Sequence, residues 1–453
     1  MACYHAPANW EDWSEWLAAG PPFGRCPHGR SRWRLPLLMM GVLFAGGRRV
    51  VASWVRAAGL NDDYRDYYFF LQSVGQRWRE VGRRVLWLVL QQAIGKQKRV
   101  LVAIDDSPTK RYGPKVEGAG THHDPTPGPT GRPFCYGHVW VTLAVIVRHR
   151  WWGTIGLPIW SWLYVRAQDV PKLQLRHPSW TFQTKLKLAA DLVLSAVETL
   201  QHAGKQVWVV VDGWYAKRPF VRPVIALGVT LVGRLRKDSA LRDLPPREKR
   251  GAHKRRGRKR KYGQHRISLL KRAAHRHGWQ DVTCVVYGVE VVKRVKTFLA
   301  THATFGGVIR VVIVKEQSGP QFFYCTDPAA SVREIVEVFA DRGAIEQVFH
   351  DVKEVWGSGQ QQVRNLWTNI GVWHLNLWMH TLVELWAWRR KATTLTHRND
   401  SPWDDAERRP SHADRRKALQ AACLKEEFSR RARHTPLPRK FRTLLKRLLR
   451  IAV

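Results

Sequence analysis

The chain has 453 residues, 44% of them apolar, and carries 76 Lys and Arg against 36 Asp and Glu, for a formal charge of +40. That length suits two or three domains with a sizeable core. So large a positive charge repels itself unless a polyanion neutralises part of it, which makes nucleic acid the first partner to consider, with an acidic membrane surface as the competitor.

The N-terminal "MACYHAPANWEDWSEW" has no basic start followed by an apolar core, so it is not a secretion signal, and the expected compartment is cytoplasmic. Residues 1–95 read as a helical region. In "WRLPLLMMGVLFAGGRRVVASWVRAAGL" an apolar segment, a Gly-Gly break and a basic amphipathic segment follow one another. That spacing suits helices joined by a tight turn, either as a DNA-reading module or as plain helical packing.

The pattern changes at Arg99. "RVLVAIDD" is a short β-branched run ending in Asp105 and Asp106, and "HVWVTLAVIV" reads as a long buried strand. "TFQTKLKLAADLVLSAVETLQHAG" is a helix ending at Gly204, and "QVWVVVDGWY" is a buried strand ending at Asp212. Strands and helices at this spacing predict an α/β layer over residues 96–215 with a partly parallel sheet. No helix is expected directly after Asp212, because "VIALGVTLVGRL" reads as strand. Residues 216–330 then form a strand-rich segment, with "DVTCVVYG", "TFLATHAT", "VIRVVIVKE" and "QFFYCTD" as strands. Within it, Arg247 to Lys261 holds ten Lys or Arg against Glu248 alone, read as a phosphate-tracking loop rather than a merely solvated one. Residues 331–390 are helical, and 391–453 read as a basic, loosely ordered tail.

No uninterrupted apolar stretch reaches the roughly 20 residues of a spanning helix. The nearest is broken by Arg148, His149 and Arg150, so no membrane association is expected. The six cysteines, Cys3, Cys26, Cys135, Cys284, Cys325 and Cys423, form no CxxC pair, against a zinc ribbon or a disulfide framework. His122, His123, Asp124 and His138 are close in sequence but separated by Pro and Gly, and read as a loop rather than a metal cluster. The Trp-rich "NLWTNIGVWHLNLWMHTLVELWAW" reads as core rather than a base-stacking platform.

The stretch "DRGAIEQVFHDVKE" carries the sharpest signal. At about 100° per residue, Phe339, Arg342, Glu346 and Lys353 fall within roughly 60° of one another around a helix axis. An acid between two cations on one stripe is either a solvated face with weak ion pairs or part of a site. Asp105 or Asp106, Asp212 and Glu346 are the acids to weigh together. Carboxylates at adjacent strand ends, closed by a third from a helix, can share two Mg²⁺ ions about 3.5–4 Å apart. Each Asp alone is equally an ordinary turn residue.

The segments "VAIDDSPTKRYG", "VVVDGWYAKRPF" and "DRGAIEQVFHDVKE" resemble the three catalytic blocks of DDE-superfamily insertion-sequence transposases, in the branch with a Y-x2-R-x3-E-x6-K signature. Arg342-x3-Glu346-x6-Lys353 fits in full, while Phe339 takes the place of the tyrosine and lacks its hydroxyl. The resemblance covers roughly Leu101 to Gln362. It implies an RNase H-like α/β core interrupted by a strand-rich insertion, which suits the 133 residues from 213 to 345. It further implies that Asp105, Asp212 and Glu346 are catalytic and hold two Mg²⁺ ions, for which Mn²⁺ can substitute. Asp105 matches the block better than Asp106, being followed by one residue and then Ser107. Arg342, Lys353 and Phe339 would meet DNA, as would Lys254, Arg255, Arg256, Arg258, Lys259, Arg260 and Lys261. The implied activity is cutting double-stranded DNA at element ends and joining the 3′-hydroxyl to target DNA, by a homodimer on paired ends. The rival readings are a nucleic-acid-binding protein that has lost the chemistry, and a metal nuclease without strand transfer.

Overall fold

A computed structural model describes residues 31, 33–60, 64–123, 131, 133–246, 260–396, 403–405 and 407–431, with side chains to 425. The chain begins with helices α1 (Arg34–Phe44), α2 (Val51–Ala57), α3 (Tyr64–Gln76) and α4 (Trp78–Val89), the last running into a π-turn at Leu90–Ile94. Strands β1 (Arg99–Lys110), β2 (Gly120–His123), β3 (Phe134–His149) and β4 (Gly153–Tyr164) follow, then the short α5 (Val170–Gln174) and the long α6 (Lys185–His202). The Thr184 hydroxyl accepts the Lys187 amide to start α6, and Gly204, at φ +69°, takes the left-handed turn that ends it.

After β5 (Gln206–Val211) the chain forms α7 (Arg218–Ala226) and β6 (Thr230–Arg234). The sequence reading of 224–235 as one strand is therefore wrong in its first half. Phe220, Val221 and Val224 form a buried helical face, and Pro219 sits at the helix start, where it is tolerated. Gly228, at φ +71°, then separates helix from strand inside what reads as one apolar run.

The insertion contributes β7 (Leu241–Arg242), β8 (Arg266–Ile267), α8 (Leu269–Ala274), β9 (Gln280–Val286), β10 (Val289–His302), β11 (Gly307–Glu316) and β12 (Gly319–Cys325). Helices α9 (Val332–Asp341), α10 (Gly343–Glu354), α11 (Leu366–Ala387) and α12 (His412–Arg431) close the fold. Residues 412–425 are thus not a loose tail. Arg416 and Gln420 of α12 donate to the backbone carbonyls of Leu43 and Ala45, which ties a basic helix to the end of α1.

The central strands run in the order β4-β3-β1-β5-β6, with β1 antiparallel to β3 and parallel to β5, and β5 parallel to β6. This is an RNase H-like core. The antiparallel insertion strands extend the same sheet from β6 through β12, β11 and β10, giving twelve strands among the described residues. The core sheet is covered on both faces, so its strands read as continuous apolar runs. Val102 and Ile104 of β1 and Val207, Val209 and Val211 of β5 face a cluster shared with α6 and the N-terminal helices. Ala103 of β1 and Trp208 and Val210 of β5 face the other way, toward Ile335 of α9 and Ile345 and Phe349 of α10.

The Trp-rich α11 is the central buried helix, as expected, with Trp373 stacked on Trp140 at 4.9 Å. It crosses α3 in backbone contact. A Cβ on Gly75 would lie 1.8 Å from the Trp367 carbonyl oxygen, and one on Gly371 would lie 2.0 Å from that of Leu71. No helix among the described residues is long and apolar enough to cross a membrane.

Candidate active site

Parallel pairing of β1 with β5 ends at Ile104 opposite Val211, so Asp105 and Asp212 come next in register. β1 itself does not stop there, since it stays paired with β3 as far as Lys110. Side chains alternate along a strand. Asp105 therefore continues the Ala103 side and Asp212 the Val210 side, both toward α9 and α10. Asp106 continues the opposite, Ile104 side.

The last catalytic segment of the sequence reading is two helices rather than one. Between α9 and α10, Arg342 keeps α-helical dihedrals, but its amide bonds to the Phe339 carbonyl three residues back, as the Ile345 amide does to Arg342. This tight turn aims Arg342 at the strand ends. Its Nη1 donates to Asp105 Oδ2 at 2.8 Å and its Nη2 to Glu346 Oε1 at 2.6 Å. The guanidinium lies 5.6 Å from the centre of the Phe339 ring, which packs on Phe323 at 4.6 Å. Asp105, Asp212 and Glu346 thus converge on one sheet face with Arg342 among them. Glu346 is the exposed member, its side chain 61% accessible against 22% for Asp105.

Burial pushes the Asp105 carboxyl up to about 6. The Arg342 charge and the Asp106 amide oppose that rise, and the charges of Asp106 and Asp212 add to it. Asp106 is differently placed: its Oδ2 accepts from Lys185 Nζ at 2.6 Å and its Oδ1 from the Tyr215 hydroxyl at 2.9 Å. Burial, then the charge of Asp106, holds the Tyr215 phenol well above its ordinary range. Nothing near Asp105 in the sequence announces Lys185 or Tyr215, which come from distant elements.

A groove of about 1590 Å³ runs from the carboxylate end of β1. It is bordered by Asp106 and, on α10, by Lys353, but not by Asp105, Asp212 or Glu346 themselves. Arg48, Lys110, Lys115 and Arg364 make its walls basic, and all four are exposed. The walls are braced from beneath. Arg111 is buried and donates to the carbonyls of Gly359 and Gln361, while the Arg49 amide binds Gln360 and the Gln361 amide returns to the Arg49 carbonyl. The N-terminal helical region therefore supplies one wall. Of the basic run, Lys254, Arg255, Arg256, Arg258 and Lys259 lie outside the described residues, while Arg260 and Lys261 are exposed.

Of His122, His123, Asp124 and His138, Asp124 lies outside the described residues, and among the described residues the three histidines belong to no cluster of metal-ligand type. His138 accepts from Arg111 Nε and bonds the Glu117 carbonyl, so both ring nitrogens are engaged. A different group, unseen in the sequence, is Asp351, His380 and His412, whose ligand-type atoms lie within 4.8 Å of one another. His412 there accepts from Trp356 Nε1 at 2.8 Å and donates to Glu384 at 2.6 Å, which fixes a neutral ring with both nitrogens in use. That arrangement suits a buried hydrogen-bonded tie between α10, α11 and α12 better than an ion site.

The sequence profile described as DDE superfamily endonuclease matches residues 23–289, more than half of the chain, a span that includes Asp105 and Asp212 but ends before Glu346. No curated protein matches the chain.

Proposed function

The chain belongs to the DDE superfamily of endonucleases, and within that superfamily we propose that it is an insertion-sequence transposase of the branch marked by Arg342, Glu346 and Lys353. Asp105, Asp212 and Glu346 are its catalytic carboxylates. The observation that carries this reading is their convergence from β1, β5 and α10 on one face of the sheet, beside a basic groove.

The donor set fits a pair of Mg²⁺ or Mn²⁺ ions. It is all carboxylate oxygen, which hard cations prefer, and two of the three acids already take a cationic group in the form of Arg342. When bound, the ions supply charge stabilisation for the attacking and leaving oxygens of a phosphodiester. Asp105 and Asp212 are held rigidly by strand register, and Glu346 closes the site from the helix. Arg342 offers a planar fork to phosphate, and Lys353 reaches the strand along the groove. Phe339 supports Arg342 through its ring alone.

The reaction in this reading has two stages. Water attacks the phosphodiester at an element end and leaves a 3′-hydroxyl, which then attacks target DNA at the same carboxylates. Two ends must be cut together, so the working form is a homodimer on paired double-stranded ends. Incubating a precleaved end duplex with a supercoiled plasmid tests the second stage. Covalent joining of the labelled 3′ strand is expected. Cutting without any joining would make the protein a metal nuclease instead.

A further inference from the structure

Arg342 stands in an unusual place for a residue whose only task is to hold DNA. It spends two of its donors on Asp105 Oδ2 and Glu346 Oε1, at 2.8 and 2.6 Å, with its side chain only 14% exposed. Its Nε is buried with no hydrogen-bond partner among the described residues. Converging carboxylates repel one another, and a cation between them relieves that repulsion. Arginine stays charged, so it cannot give up this role by losing a proton and can only move.

A divalent ion needs the same oxygens. Mg²⁺ binds oxygen at about 2.0–2.1 Å with strict octahedral geometry, and a guanidinium lodged on those lone pairs blocks that approach. We infer that Arg342 is an internal competitor of the divalent cation: it holds Asp105 and Glu346 together, and ion loading requires it to leave Asp105. The inference rests on the reading of Asp105, Asp212 and Glu346 as ion-holding residues and gives Arg342 a role beyond clamping phosphate. A DNA phosphate, accepting from the freed donors and the unused Nε, draws the guanidinium away. Ion and DNA then favour each other's binding reciprocally, as linkage requires.

The test is calorimetric titration of Mn²⁺ into the full chain without DNA, for wild type, Arg342→Gln, and the double variant Arg342→Gln with Asp105→Asn. Arg342→Gln is expected to bind Mn²⁺ about tenfold more tightly than wild type, the scale of a typical coupling between sites, and the double variant is expected to lose that gain. Equal or weaker binding by Arg342→Gln would overturn the competition while leaving the ion site intact. Absence of saturable Mn²⁺ binding in both wild type and Arg342→Gln would overturn the competition together with the ion-holding reading. Should Arg342→Gln not fold, Arg342→Lys serves instead. Its single compact charge does not bridge both acids, so a smaller gain is expected, and no gain in a folded Arg342→Lys protein would equally overturn the inference.

Discussion

Asp105 and Asp212 stand side by side in register, one residue beyond the last paired residues of two parallel strands, Ile104 and Val211. Neighbouring strands in a sheet lie about 4.8 Å apart, so two carboxylates are brought together by backbone pairing rather than by flexible side chains. Asp106, next along β1, points to the other face, where Lys185 pairs with its charge and the Tyr215 hydroxyl donates to it.

That division predicts opposite phenotypes for neighbouring substitutions. Asp105→Asn should abolish metal-dependent cleavage with little loss of stability, because burial already penalises its charge. Asp106→Asn should weaken two half-buried contacts and cost about 1–2 kcal/mol, while leaving measurable cleavage. Thermal melting and end-duplex cleavage of both variants check this. Normal cleavage by Asp105→Asn would move the ligand to Asp106.

The basic groove should bind the DNA backbone. Replacing Arg48, Lys115 and Arg364 together by Gln should weaken binding to any duplex sequence. It should also lower the slope of log affinity against log salt by about 3, near one unit per lost phosphate contact. Fluorescence anisotropy over a salt series measures it, and an unchanged slope would mean that DNA takes another path.

Helix α11 crosses α3 with no room at Gly75 or Gly371. Gly371→Ala should separate the helices and destabilise the protein by about 1–3 kcal/mol through overpacking, despite alanine's better helix propensity. Urea unfolding reads this directly. A stabilised variant would show that the crossing is looser than described.

Mild acid should destabilise the protein through its buried histidines. Burial pulls His122, His374 and His412 down to about 4 and His138 to about 3 from an ordinary value of 6.5. Between pH 6.5 and those values the unfolded chain binds protons that the folded chain does not, so stability falls as pH is lowered through that window. Asp105 acts in the opposite sense, since its raised carboxyl favours the folded state as pH drops below about 6. Four histidines against one aspartate leave a net loss of several kcal/mol, at about 1.4 kcal/mol per pH unit for each group. Urea midpoints at pH 7.5 and 5 should show it, and an equal or higher midpoint at pH 5 would contradict the assignment.

The strands that carry the two aspartates, the insertion strands and the helical segment around Glu346 were legible because each is a distinct apolar or periodic run. The choice between Asp105 and Asp106 was not legible from alternation. Both faces of β1 are buried, so "VLVAI" has no polar side to mark direction. Helix α7 was hidden because its apolar face merges into the following strand. Helix α12 was hidden because arginines usually signal solvent, whereas Arg415 and Arg416 are buried against Glu384 and backbone carbonyls. The single stripe from Phe339 to Lys353 was drawn on one continuous helix. The turn at Arg342 breaks that helix, yet it keeps Arg342 in contact with both Phe339 and Glu346.

The central claim is that Asp105, Asp212 and Glu346 form one metal-dependent cutting site. Cleavage of a labelled duplex carrying the proposed element ends, in Mg²⁺ or in chelator, by wild type and by Asp212→Ala, tests it most directly. The account predicts Mg²⁺-dependent cutting by wild type and none by Asp212→Ala, with both proteins binding the duplex equally. Cutting by Asp212→Ala at the wild-type rate, or tight binding by wild type without cutting in Mg²⁺ or Mn²⁺, would contradict it.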